Sequence, residues 1–527
     1  MKRKTKSISL PLKFPYFILP PVLTAIFPIL SFYSKNISEL SLKFLGKPLL
    51  YSIAATTVAT LFASALIKNK NKASLIVFLL AFIFFSYGHL SQALNSKLFI
   101  QLPRGIVLGP DKILLPTTAL LSIFLIIKTL RSKKTLAQII SFISVSLLII
   151  VGYLTCTIIK NEYKKKGNSS TTTISLQNKT SVSQETMPDI YYIILDGYAR
   201  QDILKSIYHY DNSWFVNSLR KMGFYVADAA RPNYIHTYIS LPSTLNMRYL
   251  DDLPQKYGIN PVSNIAARQL IYDNEVTRKL RTYGYTIINF ASTWEGTNES
   301  YQADVTYKSD EYFKVLGRNI ALDETTIVFL QTTLLSPFIK EVWFDAIRAR
   351  TLATLQKLPT VPLLKGKKFT IAHIIPPHPP YVFTAEGNPA PGTELEFSRE
   401  STDKYIDQLI FISNQILPVL QKIIKNSPNP PIIILQSDHG PSSLFGRSNE
   451  WSKNYSEEGI KERSSILYAV YLPDKNYRQF YDSITPVNSF RIVFNKYFEE
   501  DFPLLPDKTF YTDFEKLYEF KDITSIK

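Results

Sequence analysis

Cysteine is almost absent from this chain: Cys156 is the single one in 527 residues. That excludes an intrachain disulfide framework and a multi-cysteine zinc site. Acidic residues are scarce in the first third. Residues 1–166 hold 22 Lys and Arg against Glu39, Asp111 and Glu162, a net charge of +19, so the rest of the chain sums to −2 within a total of +17. A basic excess confined to a hydrophobic region, with Lys and Arg flanking apolar runs, is the pattern of membrane topology. It leaves no basic domain for DNA or RNA. Histidine is rare too, with six in the chain and none after His439. No internal repeat is evident.

Long apolar runs are plentiful. Five of them, near residues 15–33, 48–67, 73–91, 113–129 and 136–159, match the ~20 residues of a bilayer-spanning helix and predict a five-helix transmembrane domain over 1–163. The first run contains Pro15, Pro20, Pro21 and Pro28, which points to a kinked or partly re-entrant segment. With no small-residue cleavage site and more spans to follow, it does not read as a signal peptide. The Lys-rich start favours an inside N-terminus, and an odd number of spans then puts the C-terminal domain outside the cytoplasm of a multi-pass inner or plasma membrane protein. Residues 164–187 are polar, Ser/Thr-rich and aperiodic, and read as a tether.

The pattern changes at Pro188. Short β-rich apolar runs at 189–195, 285–290, 369–375, 431–436 and 466–472 alternate with helical patterns near 211–222, 261–283, 324–357 and 400–426. Such alternation predicts, for 188–527, an α/β domain whose mostly parallel sheet is covered on both faces. In such sheets ligands bind beyond the carboxyl ends of the strands. DIYYIIL is followed by Asp196-Gly197-Tyr198, IIILQS by Asp438-His439-Gly440, and FTIAHII, which contains His373, runs into Pro376-Pro377-His378. Three strand ends thus deliver Asp196, Asp438, His439, His373 and His378 to one expected rim. That mixture of oxygen and imidazole ligands suits Zn²⁺ or Mn²⁺.

The stretches PDIYYIILDGY, GFYVADAARPNYIHTYISLPSTLN, HIIPPHPPYVF, IIILQSDHG, ERSSILYAVYLPD and TPVNSFR, in that order, resemble the alkaline phosphatase superfamily. Within it the likeness is to the membrane-anchored, sulfatase-like group that includes lipoteichoic acid synthases and phosphoethanolamine transferases. The resemblance covers roughly residues 188–500 and implies a sulfatase-like catalytic domain. It also implies one divalent metal ion, Mn or Zn foremost with Mg or Ca as alternatives, bound by Asp196, Thr237, Asp438 and His439. Thr237 is the implied nucleophile, because Thr237-Tyr238-Ile239-Ser240-Leu241-Pro242 is similar to the T-x-x-S-[V/L]-P run of the transferases. His373 and His378 match a His-x₄-His pair facing the substrate phosphate. The C/S-x-P-x-R motif of formylglycine sulfatases is missing: Cys156 lies in an apolar span, and Ser240-Leu241-Pro242 continues without the Arg. Arg447, Trp451 and Arg463 stand near the site motifs without an assigned role, and His236 reads as an ordinary loop histidine.

A Thr hydroxyl is a poor nucleophile at neutral pH, and coordination to a divalent cation lowers its pKa and holds it in line. The expected function is therefore phospho-group transfer from a membrane lipid donor to a cell-envelope glycan or lipid acceptor, through Thr237. The alternatives are a phosphodiesterase or sulfuric ester hydrolase of the same group, or an inactive membrane scaffold.

Overall fold

The computed structural model describes residues 16–37, 40, 42–94, 100–102, 106–108, 110–133, 136–167, 187–259, 264–298, 300, 302–308, 313–315, 318–320, 324–390, 397–445, 456–513 and 516–526. The chain divides into two compact units, Met1–Thr172 with Thr325–Glu341, and Thr173–Glu324 with Val342–Lys527.

In the first unit the apolar runs form helices α1 (Leu19–Lys35), α2 (Lys43–Ile67), α3 (Lys70–Leu94), α4 (Pro110–Arg131) and α5 (Ala137–Gly167). All five are long and apolar enough to cross a membrane. Pro20 and Pro21 occupy the first turn of α1, where a missing N–H costs nothing, while Pro28 lies inside the helix. α2, α4 and α5 turn large apolar side chains outward, among them Phe62, Phe124, Phe142 and Ile149, as lipid contact requires. Two of the three acids of this region are matched to hydroxyls. Tyr33 donates to Glu162 at 2.8 Å, and Tyr87 and Ser91 donate to Asp111 at 2.9 and 2.7 Å. α5 extends through Gly167, four residues into the expected tether, because its Lys-rich end remains helix-compatible; residues 168–186 lie outside the described residues.

The pattern at 324–357 reads as one helix, but the structure breaks it into α7 (Glu324–Gln331) and α8 (Ser336–Lys357). Pro337 falls in the first turn of α8, where proline is tolerated. Residues 325–341 pack in the membrane unit, with Phe329 against the rings of Phe32, Phe44 and Phe85.

The second unit is built on seven strands: β1 (Ile190–Leu195), β2 (Tyr225–Val226), β3 (Thr286–Phe290), β4 (Val305–Tyr307), β5 (Lys368–Ile374), β6 (Ile432–Gln436) and β7 (Tyr468–Tyr471), in the spatial order β2-β7-β6-β1-β5-β3-β4. β6, β1, β5, β3 and β4 run parallel, and β7 pairs antiparallel with both β6 and β2. Alternate residues of β1 enter opposite cores. Tyr191, Ile193 and Leu195 face one cluster, shared with Leu409, Ile412, Ile416, Leu420 and Ile423 of α9 (Thr402–Asn426). Ile190, Tyr192 and Ile194 face the other, shared with Leu241 and Leu245 of α6 (Thr237–Asn246) and with Phe490 and Phe494. Burial on both faces accounts for the unbroken apolar strands. Each fully buried Ile, Leu or Phe contributes roughly 1.5–3 kcal/mol. The pattern at 261–283 resolves into two helices, Ile265–Tyr272 and Glu275–Thr282, the second capped by Asn274, which accepts from the Thr277 amide at 2.8 Å.

Candidate metal centre and nucleophile

The central strands β1, β5 and β6 lie side by side and parallel, so their carboxyl ends open on one edge. β1 leads into Asp196, whose amide donates to the Ile374 carbonyl of β5 at 3.0 Å. His373 sits opposite Ile194 in the ladder. β6 leads into Ser437-Asp438-His439-Gly440. Ser437 Oγ donates to the His439 carbonyl at 2.6 Å and accepts from the Tyr198 amide at 2.8 Å, fixing the two strand-end turns to each other. Ser240 of α6 donates to the Asp438 carbonyl at 2.7 Å and brings the start of that helix to the same place.

Thr237 is the first residue of α6, and the cap position belongs to His236, which makes no capping bond through its side chain. Thr237 is therefore not committed as a helix cap. Its Oγ1 lies 3.0 Å from His439 Nε2. The same imidazole nitrogen is 3.4 Å from Asp196 Oδ1 and 3.3 Å from Asp438 Oδ2. His439 Nδ1 is 3.0 Å from the Gly440 carbonyl, a partner that can only accept. The proton therefore sits on Nδ1, and Nε2 presents its lone pair to the group. The four residues expected to bind metal are thus brought together.

His373 and His378, expected to face substrate, stand against the same carboxylate. His373 Nε2 is 3.2 Å from Asp196 Oδ2, and its Nδ1 is 2.8 Å from Thr297 Oγ1. His378 Nδ1 donates to the Pro379 carbonyl at 2.7 Å, its amide donates to the Asp196 carbonyl at 3.0 Å, and its ring packs on Phe397. Gln408 of α9 holds that loop, donating to the His378 carbonyl at 3.0 Å and accepting from the Val382 amide at 2.7 Å. Two triads of ligand atoms converge, Asp196 with His378 and His439, and Asp196 with His373 and Asp438, and they share Asp196.

Burial sharpens the electrostatics. Asp196, Asp438, His439 and His373 are each under 5% exposed. Burial and the Asp196 charge push the Asp438 carboxyl up to about 7. Burial also raises Asp196, but His378, His373 and His439 around it outweigh that and hold it below the usual carboxylate range. Two like charges in so dry a place cannot both be held without a cation. Burial pulls His378 and His439 below the usual imidazole range, which keeps them neutral, as ligation requires. Asp196 Oδ1 and Asp438 Oδ2 are buried and have no hydrogen-bond partner among the described residues. Such atoms are costly, and a divalent cation would satisfy both. The donor set fits Zn²⁺ or Mn²⁺.

Further parts of the centre have no role assigned from the sequence. Thr297 and Trp294, which packs edge-on against His373 at 5.6 Å, come after β3, in the same place relative to their strand as Asp196 and Asp438 to theirs. Arg463 is buried, donating to the Gly440 carbonyl at 2.7 Å and to the Ile235 carbonyl at 2.8 Å. Gly440 itself tolerates no Cβ, which would meet the Glu462 carbonyl at 2.1 Å. His236 is buried, with Nε2 3.1 Å from the Thr512 carbonyl, and burial lowers its pKa to about 3; it serves as structure. Arg447 and Trp451 lie outside the described residues.

The fold and site together define a membrane-anchored α/β protein with a buried carboxylate–imidazole centre beside a threonine. Neither the family models nor the curated proteins contain a match to this chain. Solved structures do: among its structural neighbours are phosphoethanolamine transferases and a putative sulfatase. The C-terminal periplasmic domain of EptC from Escherichia coli, in complex with Zn, is 14% identical over 64% of this chain and 94% of that one, with a TM-score of 0.42. Lipooligosaccharide phosphoethanolamine transferase A (EptA) from Neisseria meningitidis, an integral membrane protein, is 12% identical over 91% of this chain and 94% of that one, with a TM-score of 0.40. The phosphonate monoester hydrolase of Agrobacterium radiobacter is 10% identical over 62% and 80%, with a TM-score of 0.37.

Proposed function

We propose that this protein is a metal-dependent phospho-group transferase of the cell envelope, anchored in the inner or plasma membrane with its catalytic domain outside the cytoplasm, and that Thr237 carries the group between a lipid donor and an envelope glycan or lipid acceptor. The observation that carries the reading is the 3.0 Å approach of Thr237 Oγ1 to His439 Nε2 beside the two partnerless oxygens of Asp196 and Asp438. A nucleophile and a cation-ready ligand set meet at one point.

Asp196, Thr237, Asp438 and His439 would hold one divalent cation, which when bound supplies positive charge to the hydroxyl and to the transferring group. The remaining chemistry belongs to the side chains. Thr237 Oγ1 forms a bond to phosphorus as the bond from phosphorus to the lipid alcohol breaks. The hydroxyl proton leaves Thr237, and the departing alkoxide gains one. We assign this transfer to His378, whose Nδ1 is bound to the Pro379 carbonyl and whose Nε2 is left to accept and return the proton. An acceptor hydroxyl then attacks the same phosphorus, Thr237 is released, and the proton passes back along the same route. His373, oriented by Thr297, holds Asp196 in place.

The test is a covalent one. Full-length protein incubated with membranes and digested should show an added phospho-headgroup mass on the peptide containing Thr237. A digest in which the adduct sits on another residue, or in which none forms while product accumulates, would overturn the reading.

A further inference from the structure

The membrane unit holds a groove of about 160 Å³ between α1, α3 and the segment just after α7. Its walls are graded. On α1, Phe27, Ser31 and Lys35 line it in sequence; on α3, Phe82, Ser86 and His89 do the same. These spacings of three, four, seven and eight residues place each set on one helix face. Both stripes therefore run from an aromatic ring to a basic or imidazole side chain toward the C-terminal end of their helix. Seven residues of helix, Phe82 to His89, separate the ends by about 10 Å.

Thr332 closes the third side. Its carbonyl accepts from the Gly88 amide at 3.1 Å, and the Leu334 amide donates to the Phe84 carbonyl at 2.7 Å. Phe84 carbonyl and Gly88 amide are the two groups that a helix would pair with each other, so the segment is bonded into the turn of α3. Leu335 and Phe338, which follow on the same segment, are 39% and 65% exposed.

We propose that this groove binds one glycerophospholipid, its phosphate at Lys35 and His89 and an acyl chain along Phe27 and Phe82. The charge and the gradient favour this occupant. A lysine at the polar end matches a phosphodiester anion, and aromatic walls at the other end match hydrocarbon. A neutral lipid leaves Lys35 unmatched, and a soluble phosphate leaves the rings uncovered. The site does not depend on the chemistry of Thr237.

Native mass spectrometry of the full-length protein in a non-ionic detergent tests it, with dioleoyl phosphatidylglycerol, dioleoyl glycerol and inorganic phosphate as separate probes. Wild type and Thr237→Ala should each retain one phosphatidylglycerol and neither of the other probes. The double variant Lys35→Ala, His89→Ala should retain it about fivefold less or weaker still. Both side chains are exposed, so its melting temperature should match wild type. Ser86→Trp, which fills the groove, should exclude the lipid. Equal retention by wild type and the double variant, or equal retention of dioleoyl glycerol, would overturn the proposal. Loss of the lipid from Thr237→Ala would do the same, by placing the lipid at the catalytic centre.

Discussion

Thr237 Oγ1 and His439 Nε2 meet at 3.0 Å across 202 residues of chain. The contact exists because Ser240, one turn further along α6, donates to the Asp438 carbonyl, and because the Gly440 carbonyl takes the other imidazole nitrogen. A hydroxyl and an imidazole lone pair are thereby presented to the same two carboxylates. The proposed sharing of one cation makes several behaviours measurable.

Asp438→Ala and His439→Ala should each lose most of the bound metal, measured by elemental analysis of purified protein. Asp438→Asn separates a metal site from an ordinary buried acid. In chelator it should melt at or above wild type, since it removes a buried like charge beside Asp196. With metal at a hundredfold over its Kd it should forgo the roughly 2.7 kcal/mol that binding gives wild type. Full metal content in both alanine variants would place the ligands elsewhere.

Thr297→Val should act through His373. It leaves the imidazole Nδ1 buried without its partner at 2.8 Å, a cost of about 1–3 kcal/mol in stability. Outer partners of this kind set metal affinity or activity by about 10–100-fold, and the loss should appear in metal titrations as well as in turnover. Thr297→Ser should restore both. A Val variant with lower melting temperature but unchanged metal affinity would reduce Thr297 to packing.

Gly88→Ala decides whether residues 325–341 belong with the membrane helices. On propensity alone Ala in a helix gains about 1 kcal/mol over Gly. Here the added Cβ would meet the Gln331 carbonyl at 2.0 Å, so the substitution should lower the melting temperature instead. A rise would contradict the bonding of Thr332 and Leu334 to α3.

A reporter active only in the cytoplasm, fused after Lys527, should stay silent, and one fused before Met1 should be active. Strong signal from the C-terminal fusion would reverse the proposed topology.

Much of the fold and site is legible in the sequence because it rests on periodicity. Strands buried on both faces have to be unbroken apolar runs. In a parallel sheet a ligand meets the residues at the carboxyl end of each run, so Asp196, Asp438 and His439 stand out. Thr237 emerges from the TYISLP resemblance, since nothing in local pattern separates it from a helix cap. The hidden features depend on contacts distant in sequence. The packing of 325–341 with α1 to α3 leaves no mark in a stretch that reads as one helix. β2 and β4, of two and three residues, are too short to show alternation. The closeness of His373 and His378 to Asp196, rather than only to substrate, is set by strand register and by Gln408, a residue whose spacing alone marks it as part of the α9 core face.

The most direct measurement of the central claim is turnover and melting temperature, taken together, for Thr237→Ala and Thr237→Ser, with release of headgroup from a labelled phospholipid as the readout. Thr237 makes no capping bond in the structure, but Ala removes its contact to the buried His439 Nε2, so it should cost about 1–3 kcal/mol of stability in chelator yet leave the protein folded and show no turnover. Ser offers the same oxygen with a looser rotamer and should keep measurable activity. An Ala variant that turns over near the wild-type rate would contradict the account, whatever its melting temperature.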